Sequence, residues 1–323
     1  MMRYARKKKY FYLLFIIAVL VLLLHPDMNS RRTYDFIEKQ NILNALHEET
    51  AENYTSTALV TCDYHDIIYY DVTMPATSID RDLNESYRIK EGGEYAPVEC
   101  KASFSSAIIV PYRDKAELLR TFLVHMHSFL RRQHIHYRIY VVEQLDSRPY
   151  NRAKLINIGA ITAINAGYPC LILHDVDMLP LTPANVYACT KNPRHMWSSN
   201  NKFSWRVTKF VLAYSNVFGG AIAILAKQFR DINGMSNKYF GVSGEDDDLY
   251  ERLEAFNLKP CRFDPKISQY FKSPYNPERS WNAKSPELTF TKKGMIEDGL
   301  NTLKYTEVAT VLHPLFTHIM VDL

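Results

Sequence analysis

The alternation of apolar, β-branched runs with helix-period segments from Ser105 onward limits the fold more than any other feature of the chain. Ala107-Ile108-Ile109-Val110 has the pattern of a short buried strand, with Pro111 expected to stop it. Asp114 followed by Glu117 reads as a capping pair opening a helix, with Leu118, Leu119, Phe122, Leu123, Met126, Phe129 and Leu130 on one face. A second strand is expected over 137–142 and a second helix over 151–166, with Leu155, Ile158, Ile161 and Ile164 apolar. Cys170-Leu171-Ile172-Leu173 is a third strand. This order predicts an α/β domain with a parallel sheet covered by helices on both faces. In such sheets ligands bind beyond the carboxyl ends of the strands.

The third strand runs straight into His174-Asp175-Val176-Asp177. Two carboxylates at the exit of a buried strand are costly unless they hold a cation or accept hydrogen bonds. An Asp-x-Asp there suits a divalent ion bridging a diphosphate, although a solvated turn uses the same residues. The second acidic feature is Gly244-Glu245-Asp246-Asp247-Asp248, followed by Leu249, Tyr250, Leu253 and Phe256. It reads as a charged helix N-terminus, where each acid gains ~0.3–1 kcal/mol from the dipole. One or two acids suffice for that, and four repel one another, which points to chemistry for some of them.

The chain has 323 residues, 47% of them hydrophobic, enough for one sizeable core. Its net charge is only +4, and Arg3, Arg6, Lys7, Lys8 and Lys9 carry much of the basic excess. The remaining body is nearly neutral, which leaves a nucleic-acid partner without electrostatic support. Residues 10–24 are uncharged and almost wholly apolar, shorter than the ~20 residues that span an average bilayer but sufficient for a thin one with a snorkelling lysine flank. The positive-inside rule then puts residues 1–9 in the cytosol and the rest in the lumen. A cleaved signal peptide is the competing reading, although the sequence after the run has no clean small-x-small site. Residues 25–99 are expected to form a polar lumenal stem outside the packed body, carrying acceptor sequons at Asn53 and Asn84. Of the five cysteines, four can form two bridges in a secretory compartment, with one thiol left over.

Several segments, in order, resemble the β-1,4-galactosyltransferase family over about 100–323. Tyr150-Asn151-Arg152-Ala153-Lys154-Leu155-Ile156-Asn157-Ile158-Gly159 is similar to that family's FNRAKLLNVG, and Asp175-Val176-Asp177 to its DVD. Phe218-Gly219-Gly220 and the acidic run at 244–248 resemble its FGG and GEDDD elements. Asn276-Pro277-Glu278-Arg279 and Asp298-Gly299-Leu300-Asn301 match its C-terminal motifs. The resemblance implies a GT-A fold, a Rossmann-like mixed α/β sheet flanked by helices, behind a single N-terminal transmembrane helix in the Golgi membrane. It implies inverting transfer of galactose or N-acetylgalactosamine from a UDP-sugar to the 4-hydroxyl of a terminal N-acetylglucosamine on a glycoprotein or glycolipid. Pro111, Tyr112, Arg113, Tyr150, Arg152, Asp175, Val176 and Lys202 would bind the donor, with Val217 beside its sugar. Asp246 would be the catalytic base, Asp247 and Arg279 acceptor contacts, and Asp177 a ligand of Mn²⁺. Cys62 would pair with Cys100 and Cys170 with Cys189, leaving Cys261 free.

The sequence departs from the family at four places. The family's Met and His metal ligands are absent from 261–277, so manganese is expected to bind weakly; Lys272 in that segment is a cation that can replace part of the missing field. The loop Trp of WGWGGEDDD is Val242, and the Phe after NPxR is Ser280. The Tyr that precedes FGG in galactosyltransferases is Val217, whose smaller side chain leaves room for a 2-acetamido group and favours UDP-GalNAc at least as much as UDP-Gal. The losses also leave open a catalytically weak or silent, glycosyltransferase-like binding protein.

A lumenal stem predicts glycans on Asn53 and Asn84. Glycosidase treatment of the cell-made protein should increase its electrophoretic mobility; unchanged mobility refutes the glycans.

Overall fold

The computed structural model describes residues 34–58, 60–69, 89–200, 218–241, 244–273 and 292–323, together with Tyr12, Leu14, Phe15, Ile16 and Val19. Those five are helical, and among the described residues no helix is long and apolar enough to cross a membrane. Asn84, Lys202, Val217, Val242 and Arg279 lie outside the described residues.

The centre of the molecule is β3 (Ser105–Tyr112), buried along its whole length. It pairs in parallel with β4 (His136–Gln144) on one side and β5 (Cys170–His174) on the other. The strand does not stop at Pro111, as the sequence suggests, but continues to Tyr112. Its ladder to β5 ends at Ile109, so at Pro111 the strand has a neighbour only on the β4 side, the edge-like setting in which proline is tolerated. The expected capping pair is also absent. Asp114 takes a left-handed φ of 47°, and α3 (Ala116–Arg131) starts two residues later with Lys115 at its N-cap. Aspartate tolerates that conformation better than most residues.

Two short helices, α1 (Ile42–Ala45) and α2 (His65–Tyr69), precede the sheet. The later elements are α4 (Arg152–Asn165), β6 (Met178–Pro180), β7 (Arg194–His195), β8 (Ser199–Asn200), β9 (Ala221–Leu225), α5 (Ala226–Asp231) and α6 (Glu245–Ala255). They are followed by β10 (Cys261–Phe263), β11 (Gln269–Lys272), α7 (Lys292–Glu297), β12 (Thr306–Leu312) and β13 (Thr317–Asp322). With β1 (Asp35–Ile37) at one edge, the main sheet runs β1-β10-β7-β9-β5-β3-β4-β13-β12, and β2 (Glu94–Tyr95) pairs with β4. It is mixed rather than wholly parallel, because β9 lies antiparallel to both β5 and β7. Strands β6, β11 and β8 form a second, smaller sheet.

The alternation of side chains along the central strands divides the core. Ile108, Val110, Ile139 and Val141 share a cluster with Phe122, Met126 and Phe129 of α3. Ala107, Ile109, Tyr140 and Val142 share the other with Leu155, Ile156 and Ile158 of α4. Residues 34–69, read from the sequence as stem, belong in their described part to the packed body. Ile42, Leu46 and Ile68 are buried in the first cluster, and β1 extends the sheet beside β10. Their apolar anchors are too irregularly spaced to register as a period. Cys62 is bonded to Cys100 and Cys170 to Cys189, the pairing that the resemblance implies, and Cys261 is a buried thiol. Asn53 is exposed in a turn.

Helix α4 approaches the sheet closely at Gly159. A Cβ there would lie 2.5 Å from Ile109 Cγ2 and 2.9 Å from Val142 Cγ2, both on buried strands. Gly159→Ala is therefore expected to destabilise the fold by ~1–3 kcal/mol despite the better helix propensity of alanine. Urea unfolding checks this; an unchanged or raised midpoint contradicts it.

Candidate active site

The N-terminus of α4 is fastened before it is functional. The Asn151 side chain accepts a hydrogen bond from Lys154 N (2.9 Å), capping the helix, and donates Nδ2–H to the Asn237 carbonyl (2.9 Å). One turn on, buried Asn157 donates to the Met235 carbonyl (2.7 Å) and accepts from Met235 N (2.9 Å). The same loop is held from its other side. Asp298 accepts from Ser236 Oγ (2.6 Å) and Asn237 N (3.2 Å), and the Gly299 carbonyl accepts from Asn237 Nδ2 (2.7 Å).

Arg152, the first residue of this fixed helix, reaches the carboxyl end of β5. Its Nε donates to Asp175 Oδ1 at 2.6 Å and its Nη1 to Asp246 Oδ1 at 2.9 Å, with Glu245 Oε1 3.8 Å from Nη1. One guanidinium thus joins the two acidic motifs that the sequence leaves far apart. Burial opposes the charge on Arg152, but Asp175, Asp246 and Glu245 outweigh it and hold the group ionised. Burial pushes the Asp246 carboxyl up to about 7; Arg152 opposes that rise, and Glu245 and Asp175 add to it. Burial also raises Glu245, again against Arg152. Among the described residues Arg152 Nη2 and Glu245 Oε2 are buried without a hydrogen-bond partner.

Gly219 and Gly220 position both acids. Gly219 has a φ of 128°, and a Cβ there would fall 2.1 Å from Asp246 Oδ2, so only glycine lets the carboxylate lie over the backbone. Its carbonyl accepts from Trp197 Nε1 (2.6 Å) and His195 Nε2 (2.8 Å). Arg262 Nε donates to His195 Nδ1 (3.0 Å), which leaves the proton on Nε2 facing Gly219. The Gly220 carbonyl accepts from Asp175 N (2.8 Å). Behind that turn, buried His174 donates Nδ1–H to the Asp175 carbonyl (2.9 Å), and burial lowers its pKa to about 4, so it stays neutral.

The four acids of α6 divide by placement. Asp246 and Glu245 face Arg152, and Asp247 is exposed. Asp248 is buried on the far side and pairs with Arg252 at 2.7 Å. Pro111 and Tyr112 end β3 just past its last pairing with β5. Tyr112 Oη accepts from Lys115 N (2.9 Å), Arg113 donates to the carbonyls of Asp146 and Arg148, and the Tyr150 carbonyl accepts from Gly241 N (2.7 Å). Sequence reasoning missed Asn157, His195, Trp197 and Asp298. Asn157 and Asp298 lie inside quoted motifs, but nothing in their spacing says that they grip one loop.

Asp177 is buried, and its Oδ2 lies 3.5 Å from Lys272 Nζ. Backbone pairing sets this contact: Lys272 is opposite Met178 in the antiparallel β6–β11 ladder, and Ser273 N donates to the Asp177 carbonyl (2.9 Å). Manganese is a hard ion that needs several oxygen or nitrogen donors. Here Asp175 Oδ1 is held by Arg152 and Asp177 by an ammonium. Among the described residues the one group with ligand spacing is Cys62, Cys100 and His134, whose cysteines are joined in a disulfide. The described residues therefore do not fit a manganese site at Asp177.

Residues 57–190 match the N-terminal region of glycosyl transferase group 7, and residues 199–274 match the N-terminal domain of galactosyltransferase. β-1,4-Galactosyltransferase 2 of Cricetulus griseus is 35% identical over 263 residues, 80% of this chain and 69% of that protein. The chain belongs to the β-1,4-galactosyltransferase family. Human β-1,4-galactosyltransferase 3 is 36% identical over 255 residues, 77% of this chain and 63% of the relative. The crystal structure of a mutant of Drosophila β-1,4-galactosyltransferase 7 with manganese, UDP-Gal and xylobiose superimposes with a TM-score of 0.54 at 26% identity, covering 68% of this chain and 94% of that one. The mixed α/β sheet of this galactosyltransferase homologue is thus GT-A-like.

The raised Asp246 carboxyl has a consequence for stability. Its pKa is higher in the fold than the ordinary 3.8, so its contribution is complete below about 4 and lost as pH rises through about 7. Asp246→Asn, which cannot ionise, should gain stability relative to wild type between about pH 5 and about pH 8. Urea midpoints at the two pH values test this, and a pH-independent difference contradicts it.

Proposed function

We propose that the chain transfers galactose or N-acetylgalactosamine from a UDP-sugar to the 4-hydroxyl of a terminal N-acetylglucosamine, with inversion, as a type II protein of the Golgi membrane. The carrying observation is the Arg152 bridge, which brings Asp175 at the end of β5 within one side chain of Asp246 at the start of α6. The solved relative holding UDP-Gal supports the choice of donor.

In this reading Pro111, Tyr112, Arg113, Tyr150, Arg152 and Lys202 hold the uridine diphosphate, and Asp175 and Val176 line its sugar-proximal side. Val217 borders the 2-substituent of the donor sugar. Asp247 and Arg279 contact the acceptor. The acceptor oxygen attacks the anomeric carbon as its proton passes to Asp246, and the bond from that carbon to the β-phosphate oxygen breaks with its electron pair leaving on UDP. A carboxyl that titrates at about 7 suits the task, since a base works best when its pKa lies near the working pH. No step is routed through manganese, for which the described residues do not supply a site.

Asp246→Asn should lower transfer by ~10²–10⁴-fold while UDP binding changes by less than about threefold. Purified protein assayed with UDP-Gal and UDP-GalNAc on an N-acetylglucosamine acceptor tests this. UDP-GalNAc is expected to serve at least as well as UDP-Gal, and Val217→Tyr to shift the ratio towards UDP-Gal. Near-normal turnover in Asp246→Asn moves the base elsewhere. Wild type that binds UDP but transfers neither sugar favours a binding protein.

A further inference from the structure

We infer that Lys272 takes the place of a bound metal ion, so that the chain holds the diphosphate of its donor with its own cations and without a divalent metal. The inference rests on the reading of the chain as a UDP-sugar transferase. It starts from the disagreement at Asp177. The contact of Lys272 Nζ with Asp177 Oδ2 is not a chance meeting of surface side chains, because two backbone constraints fix it. The β6–β11 register sets Lys272 opposite Met178, and the Ser273 N to Asp177 O bond holds the two chain segments together at that point. A divalent ion on the same carboxylate would bind ~2.0–2.2 Å from its oxygen, within a few ångströms of an ammonium of like sign. The second carboxylate of the pair is already engaged at its Oδ1, held by Arg152 at 2.6 Å.

What remains is a pair of cations bracketing the Asp175-Val176-Asp177 turn, Arg152 at its first acid and Lys272 at its last. Each retains unused donors. Arg152 Nη2 is buried with no partner among the described residues, a costly state unless a ligand supplies the acceptor. Lys272 is partly exposed, and an ammonium carries three N–H bonds, so pairing with Asp177 leaves it able to donate to a phosphate oxygen. Lysine is a compact point charge suited to phosphate. Neutralising the departing UDP is the electrostatic task that a metal ion performs elsewhere, and two fixed cations at the strand exit perform it here.

The test is calorimetric titration of the full-length protein with UDP, once in EDTA and once in excess Mn²⁺. The wild-type Kd should agree between the two within about threefold. Lys272→Met should weaken UDP binding in EDTA by at least about tenfold, equivalent to ~1.4 kcal/mol. Lys272→Arg should stay within about threefold of wild type. A wild-type affinity that rises tenfold or more with manganese overturns the inference, as does Lys272→Met that binds UDP in EDTA as wild type does. Binding that requires manganese removes this inference alone and leaves the transferase reading standing. Absence of UDP binding in both conditions removes both. The wild-type comparison needs no variant, so a misfolded Lys272→Met cannot decide the outcome.

Discussion

Everything at the candidate site depends on keeping one largely buried arginine in place. Arg152 meets Asp175, Asp246 and the more distant Glu245, so a single positive charge faces a surplus of carboxylates. Removing a charge from water costs several kcal/mol after relaxation, and a cluster of this kind survives only where geometry and hydrogen bonding compensate. The compensation here is incomplete by design of the charges. The acids cannot all ionise comfortably, and burial raises both Asp246 and Glu245 against the pull of Arg152. The same imbalance lifts the Asp246 carboxyl towards neutrality, which suits the role of base proposed for it.

The scaffold around this cluster is built to deny it freedom. Asn151 and Asn157 grip the loop through Met235 and Asn237 from one side, while Asp298 and Gly299 grip it from the other. The Gly219 carbonyl is held by both Trp197 and His195, and Arg262 fixes the histidine tautomer. These bonds join protein groups to one another. The bonds to its carbonyl hold Gly219 beneath the Asp246 carboxylate, with which a side chain at Gly219 would collide. Such pre-organisation matters because donors and charges work in catalysis only when already aimed.

Much of this was legible in the residues alone. Strand and helix periodicity located β3, α4 and β5 to within a few residues, since a buried strand and an amphipathic helix each write their period into the sequence. The capping reading of Asp114 failed because Asp114 itself adopts a left-handed conformation, and the strand passed through Pro111 because its β5 neighbour had already ended. The segment 34–69 was placed outside the packed body because its anchors, Ile42, Leu46 and Ile68, follow no period. Non-local pairing, as in β1 against β10, leaves no local trace.

The sequence by itself determined the family, the acidic motifs and the loss of the Met and His ligands, because these are matters of residue identity and order. Only the tertiary structure decided which acids meet which cations. Asp248 turned away to Arg252, Asp246 turned inward to Arg152, and Lys272 arrived at Asp177 through an antiparallel register between strands separated by about ninety residues. Side-chain identity states what charge a position carries. Backbone hydrogen bonds between distant strands fix where that charge stands, and at a distance of a few ångströms its place decides whether a carboxylate holds a metal or a lysine.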